Sequence, residues 1–329
     1  MKCTDRKKIR TILCLLCTCT LLLAGCGSLP YDLAYAEGSR ISSFNVVSGQ
    51  DRNVAEPFAA GLCVVTEDVT DDENVDLSQV GAAILFGLSG QDILYSRNAH
   101  EILPPASLTK VMTALVALQH GSLDQRLTAT NTVNITEAGA QLCGLKSGDS
   151  MTLDQALRIL LVYSANDVAM LIAENIGGTV DNFVEMMNQE ARRLGATNTH
   201  FANPNGLTDQ EHYTTAYDLY LIFNEAVRYD TFNEIIQMTS YQTTYLDKNG
   251  KEKTFDKTTT NLYIRGDYQP PSNVNVIGGK TGTTQAAGHC LMLLVRDSGG
   301  APYIAIILGS AGTDSLYREM TNLLDEINK

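Results

Sequence analysis

The chain carries at residues 102–121 the stretch ILPPASLTKVMTALVALQHG, which predicts a buried helix. Two prolines open the stretch and Gly121 closes it, as is typical of the start and the stop of a helix. The apolar residues recur at helical spacing, at Leu108, Val111, Met112, Leu115, Val116 and Leu118. We therefore expect a helix over residues 106–119 that carries two polar residues, Ser107 and Lys110, near its beginning.

Segments of β character lie on both sides of this helix. They cover residues 82–87, 91–97, 274–279, 288–296 and 303–308. The region between them is rich in helical patterns, most clearly at 153–162, 167–176 and 180–194. A last amphipathic helix is expected from Thr313, as its N-cap, to Ile327. This order predicts an α+β fold: an antiparallel sheet from both chain ends, flanked by helices, with an inserted helical subdomain at about 121–240.

The first 25 residues have the layout of an export signal. Five basic residues stand among the first ten, and the apolar run that follows, 12–24, is too short for a comfortable membrane span. The run ends in Leu23-Ala24-Gly25-Cys26, which resembles the lipobox of bacterial lipoproteins, where the cysteine is diacylated. An ordinary signal cleaved near Ala36 and an uncleaved anchor are the alternatives. We expect a signal peptide at 1–25, a tether at 26–56 and the folded domain at 57–329.

The composition is acidic, with 24 Lys and Arg against 37 Asp and Glu and a net charge of −13. This balance argues against nucleic acid as a partner, because phosphate binding needs clustered basic residues. Removal of residues 1–25 would leave 19 basic and 36 acidic residues, a net charge of −17. Beyond Cys26 it would leave Cys63, Cys143 and Cys290, which we interpret as small buried apolar residues, with one disulfide as the alternative. No cysteine or histidine spacing predicts a metal site.

Three short motifs carry candidate chemistry: Ser107-x-x-Lys110, Ser164-x-Asn166 and Lys280-Thr281-Gly282. Residues three apart in a helix share one face at about 5–6 Å, so Lys110 can reach the Ser107 hydroxyl. A lysine takes the proton of a serine once burial or a nearby positive charge lowers its pKa, and Lys280 is the candidate for that charge. Taken singly, the first motif also fits a solvent-facing pair on a helix, and the second fits a helix cap.

Together and in this order, the motifs resemble those of the serine D-alanyl-D-alanine carboxypeptidases, the low-molecular-mass penicillin-binding proteins of peptidase family S11. The resemblance extends over about residues 81–312. The segments that carry it are 93–110, 164–177, 203–219 and 278–288. It implies a β-lactamase/transpeptidase-like fold, no metal or organic cofactor, and peptidoglycan stem peptides and β-lactam antibiotics as the molecules bound.

The resemblance also implies roles for single residues. Ser107 would be the nucleophile that attacks the D-Ala-D-Ala bond, and Lys110 would be its base. Ser164 would pass a proton to the departing D-Ala amine. Asn166 would hold the substrate backbone and help to position Lys110.

A second set of implied roles concerns the substrate's charged groups. Lys280 would supply positive potential toward the terminal carboxylate, in a cleft made locally positive by the two motif lysines. Thr281 and Thr283 would be hydroxyl donors on either side of Gly282. The backbone N–H groups of Ser107 and Thr283 would form the oxyanion hole.

Two other functions share these motifs. A class A β-lactamase would deacylate with a glutamate in an E-x-x-L-N loop, which does not occur between Asn166 and Lys280. A catalytically silent, β-lactam-sensing wall lipoprotein is the second alternative. Many relatives continue into a β-rich C-terminal domain with a membrane helix, whereas this sequence stops at Lys329. We therefore expect the lipid on Cys26 to hold the protein at the outer face of the cytoplasmic membrane.

Overall fold

The computed structural model describes residues 61–70, 77 and 79–329, which belong to a unit running from Pro57 to Lys329. The predicted signal peptide, the tether and Cys26 lie outside the described residues. In chain order the strands are β1 (Ala82–Gly87), β2 (Asp92–Arg97), β3 (Arg126–Thr128), β4 (Ser150–Thr152), β5 (Ser240–Leu246), β6 (Glu252–Thr258), β7 (Val274–Thr284), β8 (Gly288–Asp297) and β9 (Pro302–Ser310). The α-helices are α1 (Thr109–His120), α2 (Leu153–Arg158), α3 (Asn166–Gly177), α4 (Val180–Leu194), α5 (Ala216–Ala226), α6 (Asp230–Ile236), α7 (Leu262–Arg265) and α8 (Thr313–Asp325).

Five strands from the two ends of the described chain form one antiparallel sheet, in the order β2-β1-β9-β8-β7. β1 pairs with β9 along its whole length, from Ala82 opposite Leu308 to Gly87 opposite Tyr303. All six residues of β1 are buried, so this strand is covered on both faces. The predicted α+β fold, with an antiparallel sheet flanked by helices, is confirmed.

Alternate residues of β1 point into two different cores, as the period of a strand requires. Ile84 and Phe86 join the core that contains α1, whereas Ala83 and Leu85 join the one that contains α8. Residues 109–117 of α1 are all buried. A helix surrounded by protein needs apolar residues on nearly every face, which explains the composition of the stretch that predicted it.

A second, four-stranded sheet with the order β3-β4-β5-β6 was not predicted from the sequence. Its longest pair runs antiparallel from Ser240 opposite Thr258 to Leu246 opposite Glu252. Most residues of β5 and β6 are exposed or half-buried, and most are polar. An alternation of apolar and polar residues therefore does not mark these strands in the sequence.

Two predicted helix starts are wrong by a few residues. The first helix begins as a 3-10 turn, Ala106–Leu108, and becomes α-helical only at Thr109. The last helix has Gly312, not Thr313, as its N-cap, and no side chain caps it. Thr313 is already inside the helix, because the extended backbone that precedes the first turn falls on the glycine.

The single helix predicted over 153–162 is interrupted. It begins as α2 and continues as a π-helical turn, Ile159–Tyr163. The turn stops at Ser164, whose backbone is left-handed with φ of 68°. Such turns occur frequently at functional sites, and this one ends an apolar run at a polar residue.

The three cysteines in the described part of the chain are free, so the alternative of a disulfide among them is wrong. Cys63 and Cys290 are buried as predicted, whereas Cys143 is only half-buried. Within residues 61–70, 77 and 79–329, no helix is both long enough and apolar enough to cross a membrane.

Candidate active site

Ser107 lies in a tight turn that two glycines make possible. The preceding residue, Ala106, has a left-handed backbone with φ of 47°. A Cβ on Gly206 would lie 1.9 Å from the Ala106 carbonyl oxygen, and a Cβ on Gly282 would lie 3.0 Å from the Ser107 nitrogen. The loop and strand β7 can therefore approach the turn closely only because both residues lack a side chain.

Lys110 is the centre of the hydrogen-bond network behind Ser107. Its side chain is fully buried in the first turn of α1. The Nζ atom donates to the Ser107 hydroxyl at 2.8 Å, to Asn166 Oδ1 at 2.8 Å and to the Asn205 carbonyl at 2.5 Å. The first two motifs thus meet at one ammonium group, 56 residues apart in the chain.

Burial holds the pKa of Lys110 well below its ordinary value, and the positive charge of Lys280 lowers it further. The carboxylate of Asp167 acts in the opposite direction. Burial also lowers the pKa of Lys280, to about 7. A lysine whose pKa is lowered in this way loses its proton more readily than a solvated lysine, and its neutral form has a lone pair with which to accept a proton.

Ser164 and Lys280 form the second contact between motifs. Lys280 Nζ donates to Ser164 Oγ at 2.9 Å and to the Thr281 carbonyl at 2.7 Å. The left-handed backbone at Ser164 turns its hydroxyl toward β7, where Lys280 is 1% exposed. The arrangement links the end of the π-helical turn to the sheet.

A cleft of about 1100 Å³ opens over these residues. Of the predicted site residues that the structure describes, all except the two lysines contribute to its lining: Ser107, Ser164, Asn166, Thr281, Gly282 and Thr283. The amino groups of both lysines lie beneath this lining, where Lys110 Nζ is 2.8 Å from the Ser107 hydroxyl and Lys280 Nζ is 2.9 Å from the Ser164 hydroxyl.

Two residues near Lys280-Thr281-Gly282 were not predicted to belong to the site. Arg265, at the end of α7, lines the cleft and forms an ion pair of 2.7 Å with Asp267. Thr260 shares a hydrogen bond of 2.6 Å with the hydroxyl of Thr281. Neither residue stands at a recognisable spacing from Lys280, because Thr260 lies in the loop after β6 and Arg265 lies in α7.

His212 supports the Ser107 turn from behind. Its Nδ1 accepts the N–H of Ala202 at 3.0 Å, so Nε2 carries the proton and donates to the Thr109 hydroxyl at 2.7 Å. That hydroxyl donates to the Ala106 carbonyl at 2.7 Å. Burial lowers the pKa of His212 to about 4, so the ring is neutral at pH 7. This residue was not predicted, since a single histidine in a loop has no spacing to distinguish it.

Comparison with known proteins agrees with this geometry. The profile of the peptidase S11 family, described as D-alanyl-D-alanine carboxypeptidase, matches residues 69–312. The chain is 33% identical over 249 residues to the D-alanyl-D-alanine carboxypeptidase DacF of Bacillus subtilis, covering 74% of this chain and 61% of the relative. It is 34% identical over 246 residues to DacB2 of Mycobacterium tuberculosis, covering 74% and 80%.

Solved structures show the same fold. The DD-transpeptidase of Streptomyces K15 superposes with a TM-score of 0.69 at 26% identity, covering 75% of this chain and 96% of that chain. The chain spans only about three fifths of the length of some curated relatives, 61% for DacF and 62% for DacC of Escherichia coli. The family profile nevertheless covers most of the described residues and all three motifs. The chain therefore belongs to the peptidase S11 family of D-alanyl-D-alanine carboxypeptidases.

Proposed function

We propose that the protein is a serine D-alanyl-D-alanine carboxypeptidase that removes the terminal D-Ala from peptidoglycan stem pentapeptides and is acylated by β-lactams at Ser107. The observation that carries the proposal is the position of Lys110. Its Nζ is 2.8 Å from the Ser107 hydroxyl in a buried, cation-rich setting that lowers its pKa. Family membership supplies the substrate class.

Acylation follows from this contact. Neutral Lys110 takes the proton of Ser107 as Oγ attacks the carbonyl carbon of the penultimate D-Ala. The C–N bond to the last D-Ala breaks as Ser164 gives its hydroxyl proton to the departing amine, and Ser164 takes in exchange the proton that Lys110 holds. The backbone N–H groups of Ser107 and Thr283 are the proposed donors to the oxyanion, and the absence of a side chain on Gly282 supports this because it lets β7 lie against the turn.

Deacylation reverses the proton path. Water attacks the ester carbonyl on Ser107 while Lys110 takes its proton, and the proton then returns to the serine oxygen as the ester C–O bond breaks. The peptide leaves one residue shorter with a new carboxylate. No step needs a metal or an organic cofactor.

The C-terminal carboxylate of the stem peptide would orient the substrate in the cleft. Lys280 lies beneath the cleft, and the Thr281 hydroxyl is held by Thr260 at 2.6 Å. Arg265 adds a guanidinium to the same lining. A free carboxylate would be attracted to this end of the cleft, which explains a preference for a terminal residue over an internal peptide bond.

Intact-mass measurement of the protein with penicillin and with a D-Ala-D-Ala pentapeptide tests the proposal. Wild type should form a penicilloyl adduct that persists for minutes and should release D-Ala, and Ser107→Ala should do neither. An adduct that clears within seconds would identify a β-lactamase. Stable labelling without any D-Ala release would identify a sensor.

We further propose export and lipid anchoring at Cys26, so that the enzyme works at the outer face of the cytoplasmic membrane. Support comes from the basic and apolar segments that precede the Leu23–Cys26 lipobox. Two acyl chains on one cysteine are enough for stable attachment. Cys26→Ala should move the protein to the soluble fraction with penicillin labelling intact, whereas Cys19→Ala, in the same segment, should not. Membrane retention of the Cys26 variant would contradict the lipobox.

A further inference from the structure

Asp167 is a buried carboxylate with an unusually complete set of backbone partners. It lies in the first turn of α3 and is 1% exposed. Oδ1 accepts the N–H of Cys143 at 2.9 Å, and Oδ2 accepts those of Gly144 at 2.8 Å and Leu145 at 2.9 Å. The N–H of Val168, in its own helix, donates to Oδ1 at 3.0 Å. Three consecutive backbone donors from a distant segment thus converge on one charged acceptor.

The segment that Asp167 holds is one wall of the cleft. We call residues 137–145 the wall segment; its first half, 137–141, lines the cleft. It contains no regular helix or strand, and Gly139 and Gly144 have left-handed backbones with φ of 80° and 89°. Such a segment has few internal hydrogen bonds to fix its course, so its position depends on outside partners.

Asn166 ties the same segment to the base. Its backbone N–H and its Nδ2 donate to the Gln141 carbonyl at 2.8 and 3.2 Å. Its Oδ1 accepts from Lys110 Nζ at 2.8 Å. Asn166 therefore holds residue 141 of the wall segment, and Asp167 holds residues 143–145. Asn166 also contacts Lys110, the proposed base for Ser107.

We propose that Asp167 is a positioning residue for acylation: by anchoring the wall segment to α3, its carboxylate fixes Asn166 against Lys110 while substrate fills the cleft. The proposal rests on the function proposed above and adds a residue outside the three motifs. Asp167 does not touch the substrate. It acts through the wall segment and through its negative charge beside the base.

The charge of Asp167 gives the proposal a distinctive pH signature. The titratable groups that face Lys110 are Lys280 from β7, His212 from the loop before α5 and Asp167 from α3. Lys280 lowers the pKa of Lys110, and Asp167 is the group that raises it. Loss of the carboxylate charge must therefore lower the pKa of Lys110 further.

The test compares Asp167→Asn with Asp218→Asn as a matched control. Asp218 is also 1% exposed and in the first turn of a helix, α5, and it accepts the N–H of Asn198 at 2.8 Å and the hydroxyl of Thr199 at 2.7 Å. It does not line the cleft. Both variants lose a buried hydrogen-bond acceptor, so both should unfold at a lower temperature. Only Asp167→Asn should change the rate of acylation.

The measurement is the rate of acylation by a fluorescent penicillin from pH 5 to 10, with thermal unfolding in parallel. Asp167→Asn should acylate about 10- to 100-fold more slowly at its optimum, because a displacement of about 1 Å costs up to about 100-fold. The midpoint of its rising limb should move to lower pH. Asp218→Asn should keep the wild-type rate and midpoint. Equal rates in the two variants, or an unchanged midpoint in Asp167→Asn, would overturn the proposal.

A second variant covers the case in which Asp167→Asn does not fold. Lys253, on β6, donates to Asp149 at 2.8 Å and to the Gly144 carbonyl at 3.4 Å, and its side chain is about one-third exposed. Lys253→Met loosens the wall segment and keeps the Asp167 charge. It should slow acylation several-fold with the pH midpoint unchanged, and an unaltered rate would contradict a role for the wall segment. If the wild-type protein does not release D-Ala from the pentapeptide, that result would instead contradict the proposed function itself.

Discussion

Replacement of Gly206 by alanine should disable Ser107 while leaving the protein folded. Gly206 has φ of 82°, and an alanine Cβ there would lie 1.9 Å from the Ala106 carbonyl oxygen. To restore a separation of 3.0 Å, the carbonyl or the loop must move by about 1.1 Å. The Ala106 carbonyl belongs to the turn that carries the nucleophile, so this displacement falls directly on Ser107.

Gly206→Ala should have two effects, one on the rate of acylation and one on the stability of the fold. A misplacement of about 1 Å costs on the order of 100-fold in rate, which we expect for acylation by a fluorescent penicillin. A non-glycine residue with a left-handed backbone costs about 1–2 kcal/mol, which lowers the melting temperature by several degrees. The free energy of unfolding should therefore change modestly while the rate changes greatly.

Gly250→Ala separates these two effects. Gly250 lies in the turn between β5 and β6, has φ of 78°, and has no atom within 4 Å of the position a Cβ would take. This variant should show the loss of stability that comes from the left-handed backbone alone, with the wild-type acylation rate. If Gly206→Ala acylates as fast as Gly250→Ala, the close approach does not position the nucleophile and the reasoning fails.

Three further variants test the buried network. Lys280→Met removes the charge that lowers the pKa of Lys110, so the pH midpoint of penicillin acylation should rise; an unchanged midpoint would show that the two lysines do not interact. Thr109→Val removes the hydroxyl between His212 and the Ala106 carbonyl and should slow acylation about 10-fold, whereas Thr109→Ser should restore it. Burial lowers the pKa of His212 from 6.5 in the unfolded chain to about 4 in the folded protein. Between these two pH values the unfolded chain binds one more proton than the folded protein, so the free energy of unfolding should fall as the pH drops from 6.5 to 4. The loss reaches about 3 kcal/mol, and thermal unfolding of His212→Gln should lack that dependence.

The predictable part of the fold is the part where burial imposes a pattern. The core helix and three strands of the main sheet, β1, β8 and β9, are apolar segments, and β1 lies at residues 82–87 as predicted. β5 and β6 were missed because they form a polar hairpin at the surface, where pairing is decided by the neighbouring strand and not by burial. The π-helical turn before Ser164 was predicted as ordinary helix, since its sequence ILLVY is an unbroken apolar run with no spacing that distinguishes the two helix types.

The candidate site also contains residues that the sequence pattern indicates and residues that it does not. Ser107, Lys110, Ser164, Asn166 and Lys280 form short motifs whose spacing has a geometric reason. The structure places them in two hydrogen-bonded sets at one cleft: Lys110 with Ser107 and Asn166, and Lys280 with Ser164. The groups that hold these sets in place were not found in the same way. A carboxylate that binds three backbone N–H groups looks, in the sequence, like any aspartate in the first turn of a helix.

The net charge of the chain says little about its active site, and the structure explains why. A sequence with 13 more acidic than basic residues would be expected to raise the pKa of its lysines. Burial and the proximity of a second lysine dominate at Lys110, because interactions across a few ångströms of protein outweigh those with solvated surface charges beyond the Debye length. Asp167 is the acidic residue close enough to oppose them. Selective removal of this one carboxylate should therefore change the basicity of Lys110 more than the loss of any exposed acidic residue.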